Sequence, residues 1–332
     1  MMLQRGITFD DVVLVPNYCD IPSRIEVNTD VRLGPYTFTV PIISANMDTI
    51  TGSAMAVAMN CGSGGLGILH RFLPVEDNVR EFETVRKVTD HVGVSVGVSE
   101  FEIHRAEALI KAGARLICVD VAHGHSKLVG KMLKTLRTMH DGLFLIAGNI
   151  CTYAGGDYLA ACGADAIKVG IGPGSVCTTR VKTGCGVPQL SAIFDCARVA
   201  RPIIADGGIR TPGDMVKALA AGASMVMVGG MLAGTVETEC DIYRGSASQA
   251  MHDKMHLVDM PDWKTAEGIE VTSISRGTRV RDVIRDMVGG LRSGMTYCGA
   301  RDLSELKAKA QFMQISPAGV AEGTAHFAKR TI

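Results

Sequence analysis

No surplus of either charge marks this sequence: 34 basic residues balance 34 acidic ones over 332 positions, and the pI is about 7.1. Without a basic stripe to neutralise a phosphate backbone, nucleic acid is a poor expectation as a partner. The opening MMLQRGITFDD lacks an apolar signal core, and no run approaches the ~20 apolar residues of a membrane span. A cytoplasmic protein, neither inserted in nor anchored to a membrane, is expected. Ten cysteines are present, yet no two are spaced C-x-x-C, which argues against structural zinc and against a disulfide scaffold. Most read as reduced, buried thiols. Low-complexity tracts and internal repeats are missing too.

What the sequence does have is a recurrent apolar run closed by a polar residue or glycine. The runs are VPIISANMDT (40–49), GGLGILH (64–70), VGVSVGV (92–98), RLICVDVAHG (115–124), LFLIAGNI (143–150), ADAIKVGIG (164–172), RPIIADGG (201–208) and SMVMVGG (224–230). Helix-like stretches such as FEIHRAEALIKAGA (101–114) and TPGDMVKALAAGA (211–223) separate them. In the second, Thr211 suits the N-cap, Pro212 the first helical position and Gly222 the C-cap. Near-continuous apolar strands alternating with helices indicate a covered parallel sheet. Eight strands are the number that closes a (β/α)8 barrel, here expected as one catalytic domain over 1–332. A doubly wound sheet is the alternative, but GSGGLGILH places its glycines before the strand rather than in the G-x-G-x-x-G turn after it.

In such a barrel the active site lies where strands end. Asn46, Asp48, His70, Asp120, Asn149 and Asp206 all fall there. Two connections are long. One follows strand eight, 232–276, and reads as a mobile flap ahead of an eighth helix in VRDVIRDMVGGLRSG. The other holds GPGSVCTTRVKTGCG (172–186), where Cys177 sits among Gly172, Gly174, Gly184, Thr178 and Thr179. Cys177 is there either as a nucleophile or as one more small apolar residue; the glycine-rich rim position favours the nucleophile. ADGGIRTPGD and MVGGMLAG carry paired glycines before helix starts, which bind phosphate or simply make tight turns. With Ser175 they bring three loops to one phosphate. Asp206 is then placed for ribose hydroxyls, or for capping a turn. His123 and His125 lack an acidic partner and are a weak zinc signal. Met47 stands out from the core methionines by its neighbours Asn46 and Asp48. By spacing alone, Glu267 is a solvated carboxylate.

Taken together, ITFDDVVLVP, SANMDT, AHGHS, AGNI, KVGIGPGSVCTTR, IADGGIR, MVGGMLAG and GGLRSGMTYCGA resemble the inosine monophosphate dehydrogenase/guanosine monophosphate reductase family along nearly the whole chain. The resemblance implies a (β/α)8 barrel, a homotetramer and a covalent thioimidate between cysteine and purine C2. By motif, Cys177 becomes the nucleophile, with Thr179 and Glu267 as the family's threonine–glutamate pair. Ser175, Gly208, Gly229 and Gly230 become the phosphate cradle, Asp206 the ribose ligand and Met47 a neighbour of the base. Asp120 and Asn149 fall on the nicotinamide side, and the carbonyls of Gly172, Gly174 and Cys177 match the potassium loop.

Two features bear on the branch. Dehydrogenases of the family usually carry paired cystathionine-synthase-like modules after strand two, whereas VRKVTDHVGVSVGV passes straight into strand three. They also resemble one another in a flap Arg-Tyr pair that activates water, whereas HDKMHLVDMPDWKT (252–265) contains neither residue. The expectation is a reductase that converts GMP to IMP and ammonia with NADPH. A minimal IMP dehydrogenase using NAD, with Lys254 or Lys264 as base, is the first alternative; a purine-nucleotide sensor without turnover is the second.

Overall fold

The computed structural model describes residues 5–238, 240–254, 265–272 and 277–323. Eight parallel strands close on one another: β1 (Ile42–Ser44), β2 (Leu66–Leu69), β3 (Val92–Val96), β4 (Leu116–Asp120), β5 (Phe144–Ile150), β6 (Ala166–Val169), β7 (Ile203–Asp206) and β8 (Met225–Val228). Neighbours in sequence are neighbours in the barrel, and β8 returns to β1 in parallel register, Val226 opposite Ile42. Nearly every strand residue is buried. That explains the unbroken apolar runs, because a strand with side chains inside the barrel and under the helices has no wet face. The fold is the expected (β/α)8 barrel.

The outer layer is α1 (Ser53–Val57), α2 (Val75–Arg86), α3 (Glu100–Lys111), α4 (Lys127–Met139), α5 (Tyr153–Ala161), α6 (Gln189–Cys196), α7 (Pro212–Ala220) and α8 (Val280–Tyr297). At the start of α7 the Thr211 hydroxyl accepts from the Asp214 amide while the Asp214 carboxylate accepts from the Thr211 amide, each at 3.1 Å. This capping box satisfies two donors that the helix leaves open. The helix stops at Ala221, and Gly222 follows at φ +122°. Between β2 and β3 the chain makes α2 and nothing else.

Short elements decorate this frame. A hairpin of Val31–Leu33 and Tyr36–Phe38 packs Tyr36 edge-on to Phe144, at the start of β5, and so closes the N-terminal end of the barrel. Val12–Leu14 pairs antiparallel with Phe312–Gln314, tying the two ends of the described chain together. Past β8, Ile242–Arg244 and Glu270–Thr272 form a second hairpin at the opposite, C-terminal end. Among the described residues no helix is long and apolar enough to cross a membrane.

Candidate active site

The ends of the barrel strands and the second hairpin enclose a cleft of about 960 Å³. The residues assigned by family motif all line it: Met47 from the β1 loop, Asp120 and Asn149 from β4 and β5, Gly172, Gly174, Ser175, Cys177 and Thr179 after β6, Asp206 and Gly208 at β7, Gly229 and Gly230 after β8, and Glu267 from the flap; the rim candidates Asp48 and His70 are not in the lining. These positions are scattered along the chain from 47 to 267, and barrel closure collects them.

Cys177 is half-buried at the bend between β6 and a one-turn helix, Thr179–Thr183. Its amide donates to Gly174 O at 3.0 Å, fixing the turn. The thiol donates to Thr179 Oγ1 at 3.2 Å, and that hydroxyl donates to Glu267 Oε2 at 2.8 Å. Sulfur, hydroxyl and carboxylate thus form one directed chain. The flap strand brings Glu267 there: Thr178 N–H donates to Glu267 O, Ile269 N–H to Val176 O, and Glu267 N–H to Ala247 O, all at 2.9 Å. The flap itself is anchored by Arg244, whose guanidinium grips Asp48 in the β1 loop (2.9–3.2 Å) and Glu270 on the partner strand (3.0 Å). The Asp48 side chain is only 1% exposed, so this is a buried, bidentate pair.

Beside the cysteine, three loops and Tyr243 converge. Gly207 and Gly208 take φ values of +92° and +81°, and a Cβ on Gly207 would lie 3.1 Å from Gly174 N. On Gly230 it would lie 3.1 Å from Ser175 Oγ, which in turn is 3.4 Å from Tyr243 OH. Glycine is required at Gly207, where backbone approaches backbone in the left-handed region; at Gly230 it leaves room for the Ser175 hydroxyl. Burial pushes the Tyr243 phenol up, outweighing its hydrogen bond to Ser175, so it stays a neutral donor.

The cleft floor is ionic. Lys168 Nζ, on β6, donates to Asp120 Oδ1 at 2.6 Å and to Asp206 Oδ2 at 2.8 Å. Asn149 Nδ2 donates to the same Asp206 oxygen at 2.8 Å and to Gly170 O at 2.7 Å. Burial alone would lower the Lys168 ammonium, but the two carboxylates more than reverse this and leave it above its ordinary value. Burial likewise works to raise Asp120; Lys168, with Arg71 and Asn46, outweighs it and holds the carboxyl below the usual range.

Sequence reasoning missed Lys168, Tyr243, Arg71 and the Asp48–Arg244 pair. A signal for Lys168 existed: a lone cation in ADAIKVGIG, on a strand that can have no wet face. His123 and His125 pack as rings 6.4 Å apart, and His125 also lies against Tyr158. Much of the expected flap falls outside the described residues, including Lys264 and the side chain of Lys254.

A model of the IMP dehydrogenase / GMP reductase domain matches residues 6–326. The chain belongs to this family. It is therefore an oxidoreductase of purine nucleotides that uses a nicotinamide cofactor. Within the family, the GMP reductase of Streptococcus equi subsp. equi is 39% identical over 90% of this chain and 92% of that protein. An inosine 5′-monophosphate dehydrogenase structure from Legionella pneumophila is 50% identical, with a TM-score of 0.83 over 95% of this chain and 100% of that one. A cysteine-to-alanine variant of Trypanosoma brucei GMP reductase, in complex with guanosine 5′-monophosphate, superposes with a TM-score of 0.89 at 29% identity, over 98% of both chains. Both branches of the family are thus among its relatives.

Proposed function

We propose that this chain is a GMP reductase, releasing ammonia from GMP and yielding IMP through a bond between Cys177 and purine C2. One observation carries the reading. The flap stretch 252–265 contains neither arginine nor tyrosine, so it offers no Arg-Tyr pair to activate water against a thioimidate. Arg244, the one arginine among the described residues of the flap, is committed to Asp48 and Glu270. Arg180 lies outside that stretch, in the helix after the cysteine, and one of its guanidinium nitrogens donates to Val187 O at 2.5 Å.

The hydrogen-bond polarity supports the chemistry. As sulfur attacks C2, the thiol proton passes through the Thr179 hydroxyl to Glu267, which lies in line to accept it. Returned along the same path, that proton reaches the 2-amino group, which leaves as ammonia. The carbon–nitrogen bond breaks while the carbon–sulfur bond holds, dividing one hard substitution into two easier steps. When bound, reduced nicotinamide supplies the hydride that then replaces sulfur at C2, and the thiolate recovers a proton from solvent. Ser175, Gly208, Gly229 and Gly230 would seat the 5′-phosphate with Tyr243 as a further donor, Asp206 would take the ribose hydroxyls, and Met47 would lie against the base.

The cofactor half fits a nicotinamide: Asn149 Oδ1 is buried without a hydrogen-bond partner, an acceptor that a carboxamide N–H would satisfy, and Asp120 stands on the same floor. NADPH is the form the resemblance implies. The carbonyls of Gly172, Gly174 and Cys177 are an all-oxygen set suited to potassium, which would stiffen the cysteine loop. The flap 232–276 would act as lid, and a homotetramer is the assembly in keeping with the family.

Incubation with GMP and NADPH, following nicotinamide absorbance and ammonia together, tests the reading. Loss of reduced cofactor with equal release of ammonia is expected. Growth of reduced cofactor from IMP and NAD, with no ammonia from GMP, would overturn it in favour of a minimal dehydrogenase, the reading that the 50% identity to the Legionella protein favours.

A further inference from the structure

We infer that Lys168 is a positioning residue that couples the nucleotide half of the cleft to the cofactor half, by holding Asp206 and Asp120 with one ammonium. The inference rests on the proposed assignment of Asp206 to the ribose and Asp120 to the nicotinamide side. Lys168 is 3% exposed, and its two ion pairs are with carboxylates at the ends of β4 and β7: Asp120 Oδ1 at 2.6 Å and Asp206 Oδ2 at 2.8 Å. It approaches from β6, between the strands that carry its two partners' sides of the floor. A buried lysine without partners would shed its proton. Here the two carboxylates keep it charged, and it in turn lets two anions stand side by side away from water.

The oxygens decide what this can do. Asp206 spends Oδ2 on Lys168 and Asn149, and Asp120 spends Oδ1 on Lys168. Asp206 keeps Oδ1 outside these contacts for a ligand, and Asp120 stands beside Arg71 and Asn46 as well as the ammonium. A nucleotide that draws Asp206 toward its hydroxyls changes the share of Lys168 left for Asp120, and a cofactor acting on Asp120 does the converse. Coupling of this kind is reciprocal. The other charged or titratable groups around the cluster are Arg71, which faces Asp120, the Tyr243 phenol on the Asp206 side, and the buried Cys118 thiol, which burial pushes far up and leaves neutral. None is hydrogen-bonded to both carboxylates in the way Lys168 is.

The test measures GMP and NADP⁺ binding by calorimetry, each alone and each in the presence of the other, in wild type, Lys168→Met and Lys168→Arg. Lys168→Met should weaken both ligands by roughly tenfold or more, the loss expected when a charge-assisted hydrogen bond goes. It should also abolish whatever effect one ligand has on the other in wild type. Lys168→Arg should restore most of the affinity for both. The acid limb of kcat/KM should move to higher pH in Lys168→Met, because Asp120 loses the cation that holds its carboxyl down.

Should Lys168→Met fail to fold, Lys168→Met/Asp120→Asn keeps the net charge of the cluster and is compared with Asp120→Asn alone. In Asp120→Asn, Lys168 still holds Asp206, so the double variant should bind GMP roughly tenfold more weakly than Asp120→Asn does. GMP affinity equal in those two variants, or loss of one ligand only in Lys168→Met, would overturn the role of Lys168. A wild-type chain that binds neither GMP nor IMP would instead overturn the reading of the cleft itself, and this role with it.

Discussion

On the floor of the cleft, Asp120, Asn149, Lys168 and Asp206 belong to four adjacent strands and hold one another by charge and hydrogen bond. Above them, Glu267 reaches the Cys177–Thr179 pair only because a two-stranded flap is seated on the cysteine loop by backbone hydrogen bonds and one buried ion pair. The floor exists as soon as the barrel closes. The relay also needs the flap contact. Substitutions on the floor should therefore act on binding, and substitutions along the flap contact should act on turnover.

The sharpest break in that comparison is Cys177→Ala. Turnover should fall by roughly 10⁴-fold or more, as when a covalent nucleophile is removed, while GMP affinity stays within about threefold because the floor is untouched. A nucleotide sensor would respond to GMP in this variant as in wild type, so retained turnover, or a wild type with none to lose, would remove the catalytic reading. Glu267→Gln comes next. It keeps the shape of the flap contact but cannot take the proton that Thr179 relays, so kcat should drop roughly 10²–10⁴-fold with KM for GMP little changed. A rise in KM without a fall in kcat would mean that Glu267 holds the flap instead of moving protons.

The same division governs how far the sequence could be read. All eight barrel strands were legible, because burial on both faces writes an apolar run that nothing else in the chain imitates. The three-residue strands Val12–Leu14, Phe312–Gln314, Val31–Leu33 and Tyr36–Phe38 were not, being too short to carry a period. Cys177, the paired glycines and Asp206 were legible as a rim constellation from loop chemistry alone. Glu267 was not: its partner lies 88 residues away, and only family resemblance singled it out. Arg244 and Asp48, 196 residues apart, left no trace in local pattern. Lys168 was visible and passed over, because a single cation inside an apolar run looks like strand filler until its two carboxylates are seen.

Loosening the flap while sparing the relay sharpens the comparison further. Arg244→Lys keeps a positive charge but loses the fork that spans Asp48 and Glu270. Asp48→Asn leaves the guanidinium half-buried with one anion instead of two. Each should lower kcat roughly tenfold, with less change in GMP affinity, since breaking a buried pair costs more than the pair contributes when whole. If GMP affinity fell and kcat held, the flap would belong with the floor as a binding element.

The smallest effect belongs to a residue that serves neither region. Thr211 caps α7 on the outer layer, exchanging hydrogen bonds with Asp214 well outside the cleft lining. Thr211→Ala removes the hydroxyl that accepts from the Asp214 amide, opening that one backbone donor to water, and should cost about 1 kcal/mol of stability, read as a Tm lower by roughly 2 °C in a chain this long. Neither kcat nor KM should move at temperatures well below the transition. A kinetic change in this variant would mean that α7 and the Gly207–Gly208 turn ahead of it transmit strain into the phosphate cradle, and that the barrel wall is less independent of the site than a prearranged floor requires.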